Sequence, residues 1–180
     1  MLGLAPIAML VALAGPTDIA VTLSSGRGSC GVQGSFSAPV PPAVAWQVLT
    51  DYDSLGRFVH SIESSRLERP ADGRLLVRQN AVGGALLFRR HVQVLLALEL
   101  EPERRIGFRD VLGRDFRSYA GEWRLSSDSV ATHVAYRLDA EPRGFLARTF
   151  CRGALHKMAV DLLTEVRDEM IRRAATGRPR

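Results

Sequence analysis

A chain of 180 residues with 46% hydrophobic side chains makes one domain with a sizeable core, since a chain this long buries roughly 70% of its unfolded surface. A disulfide-stapled miniature, a fibrous repeat and a disordered chain are excluded. The formal net charge of +5 comes from 24 basic against 19 acidic residues, and every base except Lys157 is arginine. Four arginines (Arg172, Arg173, Arg178 and Arg180) fall in the last ten residues with no acid among them; without that stretch, 20 bases face 19 acids. The body is near neutral and offers no broad field to a polyphosphate, so no nucleic-acid partner is expected. Residues 175–180 form a basic tail, a solvated end whose functional alternative is peripheral contact with an anionic membrane.

Leu2 to Ala14 is almost wholly apolar, ends in Ala12-Leu13-Ala14 and is stopped by Gly15-Pro16. It falls short of the ~20 residues that span a bilayer. Residues 1–14 therefore read as the apolar region of a secretory signal, although no Lys or Arg precedes it, and the protein as exported to the periplasm or beyond. A helix packed on the domain is the alternative. Residues 15–30 read as a Gly/Ser-rich linker or a weak first strand. Cys30 and Cys151 lie far apart with no metal-ligand spacing around either, so no metal is expected, and both two buried thiols and one disulfide stay open.

From Gly31 the periodicity becomes informative. Val32, Gly34 and Phe36 alternate with polar neighbours, a short strand halted by Pro39-Val40-Pro41-Pro42. Val44, Ala45, Val48 and Leu49 share a helical face, Asp51 to Ser54 turns, and Leu55 to Val59 is a second short helix. Ile62–Glu68 and Leu75–Ala81 flank Asp72-Gly73, a strong hairpin signal. Phe88–Leu100, Arg105–Leu112, the stretch around Tyr119 to Leu125, and Val130 to Leu138 then alternate as half-buried antiparallel strands, about seven strands in all. Leu155, Met158, Ala159, Leu162, Leu163, Val166 and Met170 recur at three and four residues, predicting a long amphipathic helix from Phe145 to about Ala174. The order suggests an α+β domain, a curved antiparallel sheet laid around one helix with an apolar space between them.

Three stretches carry a resemblance. Ala45-Trp46-Gln47-Val48-Leu49-Thr50-Asp51-Tyr52-Asp53 resembles the helix and turn after the first strand of the START-like superfamily. Tyr119 to Leu125, followed by Thr132 to Leu138, resembles its late strand pair, and Asp161 to Glu169 its closing helix. The resemblance spans roughly 31–174 and implies the helix-grip fold. It also implies kinship with polyketide cyclase/dehydrases and coenzyme Q-binding or lipid-transfer proteins. In that sheet the first strand lies beside the last, which implies a Cys30–Cys151 bridge between the two ends of the domain.

No phosphate-binding loop, dinucleotide fingerprint or metal motif occurs, so no cofactor is expected. The four histidines are scattered, with His91 and His133 on polar strand faces. Asp51 and Asp53, flanking Tyr52, read as backbone caps. The expected ligand cavity is lined by Val92, Val94, Leu96, Phe108, Tyr119, Trp123 and Tyr136 on the sheet. Leu155, Met158 and Leu162 face them from the helix. Of the inward polar residues Gln79, Asp110, Tyr119 and Tyr136, strand parity favours Asp110 and Tyr119 for orienting a ligand's head group. Three functions follow from the resemblance: a non-catalytic carrier of a lipid- or quinone-like molecule, an aromatic cyclase/dehydrase, or a protein-binding module like the ribosome-directed toxin relatives. The first leads, since export speaks against ribosomes and no acid–base constellation is visible.

Overall fold

Strict alternation of apolar and polar residues builds a sheet with one wet and one dry face, and the last strand shows the pattern most plainly: along Thr132–Pro142 every second residue is buried. The computed structural model describes residues 19–26, 29–83, 90–144 and 155–177. Strands β1 (Ala20–Ser25) and β2 (Cys30–Ala38) precede helix α1 (Pro42–Thr50), a 3-10 turn at Tyr52–Ser54 and the single-turn helix α2 (Leu55–Phe58). Then come β3 (Ile62–Glu68), β4 (Leu76–Gly83), β5 (Arg90–Glu101), β6 (Arg105–Asp110), β7 (Phe116–Ser127), β8 (Thr132–Pro142) and helix α3 (Leu155–Thr176).

All pairings are antiparallel, in the order β1-β2-β8-β7-β6-β5-β4-β3. The described sheet has eight strands, one more than the sequence suggested, because Ala20–Ser25 pairs with Cys30–Ser35 along its whole length. Its side chains are mostly exposed, so alternation carries no burial signal there and only backbone pairing reveals the strand. Val130 is a second correction. Expected on the dry face of β8, it is 77% exposed in a turn that Asp128 caps through the N–H groups of Val130 and Ala131 at 2.7 and 2.9 Å. The expected first helical turns at Phe145 to Phe150 lie outside the described residues.

α1 starts at Pro42, where the missing N–H is harmless and the fixed φ suits a helix. α3 runs 22 residues, roughly 33 Å at 1.5 Å per residue. Leu155, Ala159, Leu163, Val166 and Met170 form its buried stripe. Gly34 makes room for it on β2, since a Cβ there would strike Leu163 Cδ1. Register irregularities in β3 between Ile62 and Ser64, and in β7 between Phe116 and Ser118, are the bulges that add bend and twist to a sheet. The core lies on the dry face against α1 and α3. The wet face carries ion pairs such as Arg105–Glu122 at 2.8 Å and Arg78–Glu68 at 2.7 Å, which stabilise little individually.

Candidate functional site

The dry face and α3 do not meet everywhere. Between them lies a cavity of about 160 Å³. β5 contributes Val92, Val94, Leu96 and Leu98, β6 Ile106 and Phe108, and β7 and β8 Phe116, Tyr119, Trp123, Tyr136 and Leu138. Leu155, Met158, Ala159, Leu162 and Val166 close it from α3, and Leu49, Tyr52 and Leu55 from the α1–α2 connection. Phe108, Tyr119, Trp123, Met158 and Leu162 face inward yet are only partly buried, as side chains at the wall of a hollow should be.

The floor is aromatic. Trp123 and Tyr136 lie 4.4 Å apart between ring centroids, and Phe116 and Tyr119 4.8 Å, both tilted pairs. Phe108 bridges the two, 6.2 Å from Tyr119 and 6.3 Å from Tyr136. The Trp123–Tyr136 contact follows from register, since the two lie opposite each other on β7 and β8. Tyr119 and Tyr136 both stand at this wall, near enough for each to perturb the other's hydroxyl. Burial first, and then the Asp110 carboxylate, pushes the Tyr119 phenol up to about 12; burial, and then Tyr119, holds Tyr136 well above its ordinary range. Both stay protonated at neutral pH, able to donate and unable to act as bases.

Of the residues that the sequence proposed for the cavity, Val92, Val94, Leu96, Phe108, Tyr119, Trp123, Tyr136, Leu155, Met158 and Leu162 stand at its wall. Asp110 does not. At the end of β6 its carboxylate accepts N–H bonds from Leu95 at 3.0 Å, Leu112 at 2.9 Å and Gly113 at 3.0 Å, pinning the β6–β7 turn to β5. Strand parity alone placed it inside; the strand ends there, and backbone donors claim the side chain first. Gln79 does line the cavity, and its amide donates to Ser65 Oγ at 3.4 Å.

Tyr52 was not among the sequence candidates. It is 8% exposed, it lines the cavity, and its enclosed hydroxyl has no partner. A turn residue between two aspartates has no periodicity to mark it as buried; the wall it joins exists only after α1 packs on α3. Asp53 Oδ1 accepts the Leu67 N–H at 2.9 Å, a backbone cap as expected, whereas Asp51 pairs with Arg173 at 2.9 Å. His60 fastens the rim: its backbone N–H and Nδ1 meet the two oxygens of Glu165 at 3.1 and 2.6 Å. That clasp ties the segment carrying the cavity residues Ser61 and Ile62 to the helix carrying Leu162 and Val166.

On the wet face, His133 joins Ser37 Oγ through Nδ1 at 2.8 Å and Asp128 through Nε2 at 2.9 Å. The three residue types are those of a hydrolytic triad, and sequence spacing did not bring them together. The imidazole is 46% exposed, and Asp128 also holds the β7–β8 turn, so the trio reads as a brace between strands rather than a water-excluding site. Among the described residues no group of three His, Cys, Asp or Glu side chains is placed to hold a metal.

A family model described as polyketide cyclase/dehydrase and lipid transport matches residues 29–170. The chain belongs to that family. No curated protein matches the chain. An aromatase/cyclase from Streptomyces sp. R1128 superposes with a TM-score of 0.68 at 19% identity, covering 81% of this chain and 95% of its own. A protein from Thermus thermophilus gives 0.68 at 20% identity, covering 80% and 99%. A STAR-related lipid transfer protein from Xanthomonas axonopodis gives 0.64 at 16%, covering 84% and 93%. At these identities the likeness establishes the helix-grip fold. A polyketide cyclase/dehydrase family member with an apolar internal cavity is thereby suited to a hydrophobic small molecule; whether it binds or converts that molecule is a matter for the site's own chemistry.

Proposed function

We propose that the protein binds and carries a hydrophobic small molecule, of lipid, quinone or polyketide-like chemistry, in the cavity between sheet and α3, without converting it. The supporting observation is the wall itself. It is apolar and aromatic, with no charged side chain among the described residues that line it. General acid–base catalysis calls for a group whose pKa lies near the working pH. The phenols here are held far above it. Asp110 is engaged by three backbone N–H groups and stands outside the wall. Affinity would then come from buried apolar area, about 25 cal/mol per Å².

One observation favours the cyclase/dehydrase alternative. Tyr119 and Tyr136, both protonated at the cavity wall, can donate hydrogen bonds to a developing enolate. The experiment is native mass spectrometry of protein purified from its own host, followed by Met158→Trp. The carrier reading expects a co-purifying apolar molecule that the Trp variant loses with little change in melting temperature. An empty protein whose Trp variant loses about 1–3 kcal/mol by overpacking would overturn it. Turnover of a polyketone that falls steeply in Tyr119→Phe would replace it with the cyclase.

A further inference from the structure

We infer that the cavity selects an uncharged, single-ring molecule bearing a hydrogen-bond acceptor, held by the Tyr119–Tyr136 hydroxyl pair. The inference rests on the binding reading above and narrows it. Three observations carry it: size, charge and the two hydroxyl donors at the wall.

The cavity measures about 160 Å³. Hollows of about 150 Å³ lined by Leu, Ile and Phe admit benzene, whereas drug-sized ligands occupy roughly 300–1,000 Å³. One ring fits; a long acyl chain does not fit without leaving the hollow. The aromatic floor of Phe108, Phe116 and Trp123 presents ring faces and edges, against which another ring packs better than a flexible chain.

No described side chain at the wall is charged. A carboxylate or ammonium entering would give up its water and find no counter-charge, a penalty far larger than the apolar gain of one ring. The described wall therefore favours a neutral ligand.

Tyr119 and Tyr136 both line the wall, and each brings one O–H donor to it. Asp110 is the nearby acceptor able to compete, and its carboxylate already holds the N–H groups of Leu95, Leu112 and Gly113. Tyr119 is the more open member of the pair at the wall. A carbonyl or ether oxygen on the ring completes the set.

The test is calorimetric titration of the full chain, stripped of co-purifying apolar material, with acetophenone, ethylbenzene, benzoate and dodecanol. Acetophenone and ethylbenzene differ by a carbonyl in place of a methylene. The wild type should bind acetophenone at least tenfold more tightly than benzoate and ahead of dodecanol. In Tyr119→Phe/Tyr136→Phe, acetophenone should weaken about five- to tenfold, the worth of one hydrogen bond, while ethylbenzene holds or improves. Each single variant leaves one hydroxyl with its proton and should lose less. If the double variant does not fold, the single variants and the benzoate and dodecanol comparisons still decide. Equal losses for acetophenone and ethylbenzene, benzoate binding like acetophenone, or dodecanol binding ahead of it would overturn the inference and leave the carrier reading standing. If none of the four binds, both fall.

Discussion

A phenol hydroxyl enclosed without a partner destabilises a fold by about 1–3 kcal/mol, and Tyr52 carries such a group. The ring earns its place by packing, being 8% exposed beside Leu49 and Leu55 at the cavity wall. The oxygen is surplus to that packing. Tyr52→Phe should therefore stabilise the protein by about 1–3 kcal/mol, a rise of roughly 2–4 °C in melting temperature for each kcal/mol. A fall on thermal melting would show that the hydroxyl has a partner after all. Asp110 teaches the opposite lesson at the same scale. Its parity with Phe108 pointed inward, but a carboxylate at a strand end meets three unpaired N–H groups before it meets a cavity. Alternation holds in the middle of a strand, where the ladder has already satisfied the backbone. At its ends, local hydrogen bonding overrides it.

Elements meet here through a few positions that must stay small. Gly121 pairs with Leu138 across β7 and β8 and with Phe108 across β6 and β7. A Cβ at that site would strike the Arg137 carbonyl oxygen and lie 2.6 Å from the Phe108 ring. Backbone cannot move aside as a side-chain tip can. Gly121→Ala should cost about 1–3 kcal/mol or more by overpacking and press Phe108 toward the cavity. Urea denaturation checks it: an unchanged midpoint would mean the sheet yields there at little cost. Gly34 differs in degree, because its nearest obstacle is the flexible tip of Leu163, while the Ala20 carbonyl oxygen lies farther off at 3.1 Å. The strands around these glycines were legible in the sequence, since β5, β7 and β8 each alternate over many residues. For β1 the sequence leaves a linker and a weak first strand both open, because its side chains are mostly exposed, and its pairing with β2 decides for the strand.

At the scale of the whole molecule, the two ends of the domain come together. Cys30 opens β2 opposite Ala140 on β8, is 3% exposed, and no free cysteine occurs among the described residues. Cys151 lies outside those residues, and the Cys30–Cys151 bridge stands as a proposal. It would close a loop of about 120 residues, nominally worth about 4–5 kcal/mol. Titration of unreduced, denatured protein should find no thiol; two would reject the bridge. Such a bond needs an oxidising compartment, in keeping with the export expected from residues 1–14. The sequence by itself determined the secondary-structure order from β2 onward, the dry face of the sheet and the stripe of α3. Each of these is written in a period of two or nearly four residues and needs no distant partner. It determined most of the cavity wall for the same reason, because inward parity survives folding. Only the tertiary structure decided that the hollow stays open at about 160 Å³, that Tyr52 closes it without a hydrogen-bond partner, and that Asp110 serves the backbone instead. Those facts depend on how far α3 stands from the bent sheet and on which donor reaches a side chain first, distances set by packing between segments far apart in the chain.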